Sequence, residues 1–418
     1  MNAGGGLRRL LRGGAGVAVA MAVLNLTTYG FTILAARALG PAEYSAVAAL
    51  MGLLLVINVV SLGLQATGAR QVAAAPEARE AIEARILRAG RRSGLALALV
   101  CLALAPVVTI VLDLTSPLAA VFVALAAAPL SMMGAQAGVF QGEEDWGPLS
   151  AIYVAAGTGR LVLGGLGLLL LGDATGAMAG VAVGAVVPVL VGARVLRRRR
   201  TAPAPPSSTR VVLREVGHNS HALLAFFALS NVDVVLARVV LDAENAGLYA
   251  GGLILTKAVL FLPQFVVVVA FPRMASGADR TRATRLSLLA TAVIGAVATA
   301  GAALLSGLAV VFVGGAAYRE IEPLVWVFAA VGTLLAMIQI LVYQVVADQH
   351  RRAVLVLWAG MAALLAAAPV ATTEPRLLAA VAAVDVLVLV GLLVATRTRR
   401  DEAAAPVPGV RDLTENAG

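Results

Sequence analysis

The sequence predicts an all-α integral membrane protein of about twelve transmembrane helices, arranged as two six-helix lobes related by a parallel internal repeat. Three observations predict it. The chain is 60% hydrophobic and 13% charged, with a mean hydropathy of +0.93, whereas a soluble chain is about half apolar and about a quarter charged. Its apolar stretches come in blocks of about twenty residues, the thickness of a bilayer core at ~1.5 Å rise per residue. Finally, the basic residues crowd onto alternate joints between those blocks, and the two halves of the chain echo each other.

Taken in order, the predicted spans are 16–36, 45–66, 94–114, 117–140, 148–171 and 174–194, then 219–241, 247–271, 286–313, 322–346, 353–371 and 377–396. The first run follows Arg8, Arg9 and Arg12. It is too long for the apolar core of a cleavable signal peptide and is expected to be a spanning helix. The 286–313 span is long, and Gly295 and Gly301 are expected to let it tilt or bend. The stretch Glu77–Arg92 places Ile82, Ile86 and Leu87 at helical spacing among Arg and Glu. It fits either a short helix lying on the membrane surface or an ordinary solvated joint.

Charge sets the orientation. With the amino terminus inside, the inner joints hold 26 of the 32 Lys and Arg. They fall in clusters at 8–12, 70–92, 194–214, 273–285, 351–352 and 397–411. Arg319 and Arg376 lie on outer joints, Arg37 and Arg238 at outer helix ends, and Arg160 and Lys257 within spans. This asymmetry predicts both termini in the cytoplasm. One inner joint departs from the pattern, holding Glu143, Glu144 and Asp145 with no base. The formal charge of +9 is thus membrane topology, and no nucleic-acid partner is expected.

The joint 197–216 differs in kind. Four arginines lead into Thr-Ala-Pro-Ala-Pro-Pro-Ser-Ser and Arg210, a composition that favours an extended tether. It divides the chain into an amino-terminal lobe, 1–196, and a carboxy-terminal lobe, 217–397, with a disordered tail expected over 398–418. The lobes match at a shift of 201 residues: Arg37 and Glu43 close the first span as Arg238 and Glu244 close the seventh. Six spans is an even number, so the lobes share one orientation, as in transporters that rock two bundles around a central cavity.

Few charges lie at membrane depth, where each costs about 2.5–3.5 kcal/mol on insertion scales. Lys257 and Asp385 sit at similar depth in the second lobe, either pairing to hold helices or serving a site. Arg160 has no midplane acid in its own lobe and suits a cationic anchor for an anionic substrate. Asp233 and Asp385 are the candidates for coupling to an ion. Asn25 and Gln264 are polar cavity candidates, although such groups more often bond helix to helix. Arg37 and Arg238 are expected to fix the outer turns. The lone cysteine, Cys101, forbids an intrachain disulfide. His218, His221 and His350 form no metal-ligand pattern, and no nucleotide-binding P-loop occurs, so neither metal, cofactor nor enzymatic activity is expected.

The run Tyr29-Gly-Phe-Thr-Ile-Leu-Ala-Ala-Arg37-Ala-Leu-Gly40-Pro-Ala-Glu43-Tyr44 resembles the first helix and turn of Wzx-type polysaccharide-biosynthesis flippases. Those proteins belong to the multidrug, oligosaccharidyl-lipid and polysaccharide exporter superfamily. Gly138-Val-Phe-Gln141-Gly142, Asn231-Val-Asp233, Gly247-Leu-Tyr249-Ala250 and Phe271-Pro272-Arg273 are similar too. The resemblance implies a MATE-like V of two lobes in a bacterial cytoplasmic membrane. It also implies export of a lipid-linked glycan, beside partners such as a glycan polymerase or glycosyltransferases. Arg160 and Lys257 would then contact the anionic cargo. Rival readings are a cation-coupled drug exporter, for which Asn25 in place of an acid is a poor fit, and a non-transporting scaffold for glycan synthesis.

Overall fold

The computed structural model describes residues 3–199, 210–261, 280–348 and 351–404. Within them the secondary structure is entirely helical. The first lobe comprises α1 (Ala3–Ile57), α2 (Val59–Ala74), α3 (Arg79–Val111), α4 (Pro117–Gly142), α5 (Trp146–Gly159), α6 (Gly165–Leu171), α7 (Ala174–Gly184) and α8 (Val186–Arg199). The second comprises α9 (Arg210–Val240), α10 (Ala243–Phe261), α11 (Arg280–Leu304), α12 (Ser306–Val313), α13 (Val325–Asp348), α14 (Arg351–Ala367) and α15 (Glu374–Ala404).

Ten stretches among the described residues are long and apolar enough to cross a bilayer. The first of them, Gly16–Ala74, has 59 residues, far more than the roughly twenty that one crossing needs. It divides at Gly40, whose φ of 71° and ψ of 175° lie where only glycine is at ease. Pro41 then opens the next helix in the position where its missing N–H costs nothing. Counting α1 as two crossings and adding the 19-residue α10 gives twelve, six to a lobe.

Several crossings are interrupted within the membrane. A single turn residue, Asn58, separates α1 from α2, and Ala185 separates α7 from α8. The ninth crossing breaks at Leu305 (φ −115°, ψ 34°), not at the two glycines expected to bend it. Gly295 instead provides close approach, since a Cβ there would fall 2.1 Å from Thr333 Cγ2, while Gly301 faces open space.

Small residues carry the helix packing, as they do where lipid offers no hydrophobic drive to associate. Gly134, Gly138 and Gly142 on α4 lie against the backbone of Ser61, Gln65 and Ala69 on α2, each row advancing by four residues. Gly176, Gly180 and Gly184 on α7 likewise press on Gly167, Leu163 and Gly159. The lobes meet where α1 packs on α9 and α10, and where α2 packs on α9.

The structure alters three expectations on the arginine-rich face, here called the basic face. Glu77–Arg92 is no separate surface helix: from Arg79 onward it is the first part of α3, a rod about 50 Å long. Ile82 and Ile86 are buried against other helices and not against lipid. The acidic joint at Glu143 is neutralised across the lobe by Arg79, 2.6 Å away. The tether and the tail are shorter than expected, because α8 runs to Arg199, α9 starts at Arg210 and α15 runs to Ala404. Residues 200–209 and 405–418 lie outside the described residues.

Candidate functional site

Arg160 begins a π-helical segment, Arg160–Gly164, between α5 and α6. Such a bulge adds a residue to the turn and redirects the side chain, and it often marks a functional position. Gly159 just before it must hug Gly184, and Gly164 at its end must hug Phe31. The guanidinium points to crossing 1, where its Nη1 donates to Thr28 Oγ1 at 3.2 Å. No carboxylate pairs with it among the described residues. Thr28 in turn donates to the Leu24 carbonyl. Asn25, one helical turn before Thr28, is half-buried, so Thr28 and Asn25 share the region of α1 that Arg160 reaches. Tyr29, the next residue after Thr28 in that helix, meets Phe261 of α10 edge to face, with ring centroids 6.0 Å apart. Arg160 is therefore one helix away from the opposite lobe.

The second lobe holds a cluster of different polarity. Asp233 on α9, Lys257 and Tyr249 on α10, and Asp385 on α15 lie in mutual electrostatic contact. Both acids are 2% exposed. The Lys257 ammonium donates to the Ser230 carbonyl, and no ion pair closes between it and either acid. Asp233 Oδ1 accepts from the Val234 amide at 2.8 Å, while Asp385 Oδ2 has no hydrogen-bond partner among the described residues. Lys257 thus interacts electrostatically with both acids and forms an ion pair with neither. With all three ionised, the cluster carries a formal charge of −1, which one proton or monovalent cation would balance. The second half of α1 closes on it from the first lobe: a Cβ on Gly52 would lie 2.8 Å from Val234 and 3.5 Å from the Asn231 carbonyl.

Arg37 and Arg238, the repeat-related pair, do more than fix their own turns. Arg37 Nη2 donates to the Val311 carbonyl at the end of α12 (2.6 Å). Arg238 donates to the Leu112 and Asp113 carbonyls just past α3 (2.9 and 3.0 Å) and to Ser45 Oγ (2.8 Å). Each lobe therefore places an arginine on the carbonyl end of a helix in the other lobe. A cation is favourable there because the last carbonyls are unsatisfied and the helix dipole is negative. The two acceptors end the third and ninth crossings, which are themselves repeat-related. Nearby, Tyr318 donates to the Ala36 carbonyl at 3.1 Å and meets the ring of Tyr44. These contacts hold the lobes together at the face opposite the basic one. At the basic face, Arg70 and Gln71 of α2 hold Glu215 of α9.

Gln264 lies outside the described residues. His221 stacks on Trp358 and accepts from its indole N–H at 3.1 Å. No group of metal-ligating side chains occurs among the described residues. Residue patterns did not single out Thr28 and gave Tyr249 only as part of a motif of the resemblance, since a hydroxyl or a ring inside an apolar run signals nothing until its neighbour is known.

The fold recurs in solved structures of low sequence identity. One is a multidrug resistance MATE family transporter of the MOP superfamily in its inward-facing conformation. It is 14% identical over 92% of this chain and 96% of that one, with a TM-score of 0.72. Another is the lipid II flippase MurJ in an inward closed conformation, 10% identical over 91% and 87%, with a TM-score of 0.72. A third is a MOP superfamily transporter from Pyrococcus furiosus, described as having a binding pocket of reverse polarity. It is 15% identical over 94% and 95%, with a TM-score of 0.59. No curated protein matches by sequence. The model of the polysaccharide biosynthesis protein family matches residues 10–278, well over half of the chain. The twelve-crossing, two-lobed chain, with an arginine at membrane depth in its first lobe and the Asp233–Lys257–Asp385 cluster in its second, belongs to the polysaccharide biosynthesis protein family.

Proposed function

We propose that this protein moves a lipid-linked oligosaccharide or polysaccharide precursor from the cytoplasmic to the outer leaflet of a bacterial cytoplasmic membrane by alternating access. The observation that carries the proposal is Arg160, a guanidinium within a spanning helix whose described partner is a single hydroxyl. A cation so placed retains donors for a phosphate or an acidic sugar. Family membership supports a glycan cargo, and MurJ, of like fold, is a lipid II flippase.

The basic face is the cytoplasmic one in this proposal, with both termini on it. The arginine clasp then closes the outer face, while Arg70 and Gln71 reach Glu215 across the basic one. Lys257 takes part through the acid cluster more than as a second anchor, because the Ser230 carbonyl and two carboxylates already engage it. Asp233 and Asp385 would take up and release one cation as the lobes rock, a task suited to a cluster one positive charge short of neutral. The chain acts with membrane lipids and beside enzymes that assemble the glycan, and it catalyses no reaction of its own.

The test is a leaflet-resolved assay in proteoliposomes loaded with a fluorescent polyprenyl diphosphate-linked sugar. Transfer that Arg160→Ala abolishes supports the proposal. One observation favours a second reading: the same net-negative cluster would serve a cation-coupled exporter of amphipathic cations. That reading expects ion-driven dye efflux, lost in Asp233→Asn, with no movement of the glycan lipid.

A further inference from the structure

The amino-terminal third of α3 takes no part in the transport proposal, yet its arginines do not simply face solvent. Arg88 and Arg91 of α3, Met132 and Gln136 of α4, and Leu196 and Arg197 of α8 line a cavity of about 530 Å³. That volume is in the range of small-molecule sites, about 300–1,000 Å³. Three guanidinium groups reach it and no carboxylate lines it. Gln136 is 2% exposed. Its Nε2 donates to the Val189 carbonyl at 3.1 Å, while its Oε1 is buried without a hydrogen-bond partner among the described residues. An unmet acceptor of this kind is rare in protein interiors. It calls for a ligand that supplies an O–H or N–H donor as well as negative charge.

Depth identifies the source of such a ligand. The outer surface of α3 exposes Leu95, Leu99, Leu102, Val107 and Ile110, so hydrocarbon begins near Leu95. Arg91 stands one turn below that point and Arg88 about two, roughly 6 and 10 Å at 1.5 Å per residue. This is the headgroup layer, where a basic side chain adds about 1 kcal/mol of attraction to an anionic surface. On α8 the exposed Leu190 precedes Arg197 by seven residues, which places that arginine at the same level.

We infer that this cavity holds the headgroup of an anionic phospholipid bearing a free hydroxyl, such as phosphatidylglycerol, from the leaflet on the basic face. The arginines take the phosphate, and a glycerol hydroxyl donates to Gln136 Oε1. All three lining helices belong to the first lobe, so rocking one lobe against the other leaves the site intact. The lipid is therefore resident and not cargo. It would tie the tip of α3 to α4 and α8, around the fixed charges of that face.

Purified full-length protein, with residual lipid quantified by mass spectrometry after detergent exchange, tests this. Wild type should retain phosphatidylglycerol over phosphatidylethanolamine. Arg88→Gln/Arg91→Gln should lower its affinity by roughly fivefold per arginine, with helical content and elution volume unchanged. Arg92→Gln/Arg194→Gln removes two charges from the same face outside the cavity and should leave retention near wild type. Gln136→Met alters no charge and should erase preference for phosphatidylglycerol over phosphatidic acid. Equal losses in the two double variants would reduce the effect to diffuse surface charge and overturn the site. Thermal stabilisation by inorganic diphosphate equal to that by phosphatidylglycerol would overturn the lipid assignment in favour of a soluble phosphate.

Discussion

Arg160 and Lys257 are both cations at membrane depth, but their surroundings assign them different work. Arg160 has a hydroxyl 3.2 Å away and donors to spare. Arg160→Ala should lower transport of an anionic lipid by about tenfold to a hundredfold, since hydrogen bonds to charged groups contribute about 1.5–3 kcal/mol. Arg160→Lys should recover only part of it, because an ammonium lacks the planar fork. Initial flipping rates at matched protein levels would check both. Lys257 is enclosed by Asp233, Asp385 and the Ser230 carbonyl. Lys257→Met strands two buried acids and should destabilise the protein by about 3–5 kcal/mol, the usual cost of leaving a buried charge uncompensated. Lys257→Met/Asp385→Asn should restore much of that loss in detergent thermal unfolding. The sequence revealed both residues because a charge in an apolar run is conspicuous. It left the partnership open, since depth along a helix does not say which side of the helix a group faces.

Helices here are joined by backbone contact as much as by side chains. Gly138 lies so close to crossing 2 that a Cβ would sit 2.6 Å from the Gln65 carbonyl oxygen. Gly138→Leu should therefore cost about 1–3 kcal/mol or more through overpacking, whereas the same change at Gly301, which faces open space, should be near neutral. The thermal stability of the two variants makes that comparison. The spans themselves were legible from the block pattern of the sequence. The interruptions were not: Leu305 and the π turn at Arg160 arise where packing on a neighbouring helix overrides a locally uniform apolar run. The role of Glu77–Arg92 was also hidden, because an amphipathic pattern marks an apolar face without saying whether lipid or protein covers it.

For the whole molecule, the internal repeat has a mechanical consequence. Arg37 and Arg238 occupy equivalent places, and each binds the helix end of the opposite lobe. Opening the face they close requires both clasps to break together. In a Cys101→Ser background, spin labels at Thr115→Cys and Ala317→Cys would report the gap on that face. Arg37→Ala/Arg238→Ala should shift the distribution to longer distances, and either single change should shift it less. An unchanged distribution in the double variant would mean that the clasp does not hold the lobes. The repeat was visible as Arg and Glu at a shift of 201 residues. Its crossed connection was not, because the partners are carbonyls, which every residue has.

The central claim is that an anionic glycan lipid crosses the membrane between these lobes with Arg160 as its anchor. The most direct measurement follows a fluorescent polyprenyl diphosphate-linked sugar in proteoliposomes, using a quencher confined to one leaflet. Wild type should show protein-dependent loss of protected signal, and Arg160→Ala at least a tenfold slower loss, about the lower bound for a charge-assisted hydrogen bond. Equal rates in wild type, Arg160→Ala and protein-free vesicles would contradict it.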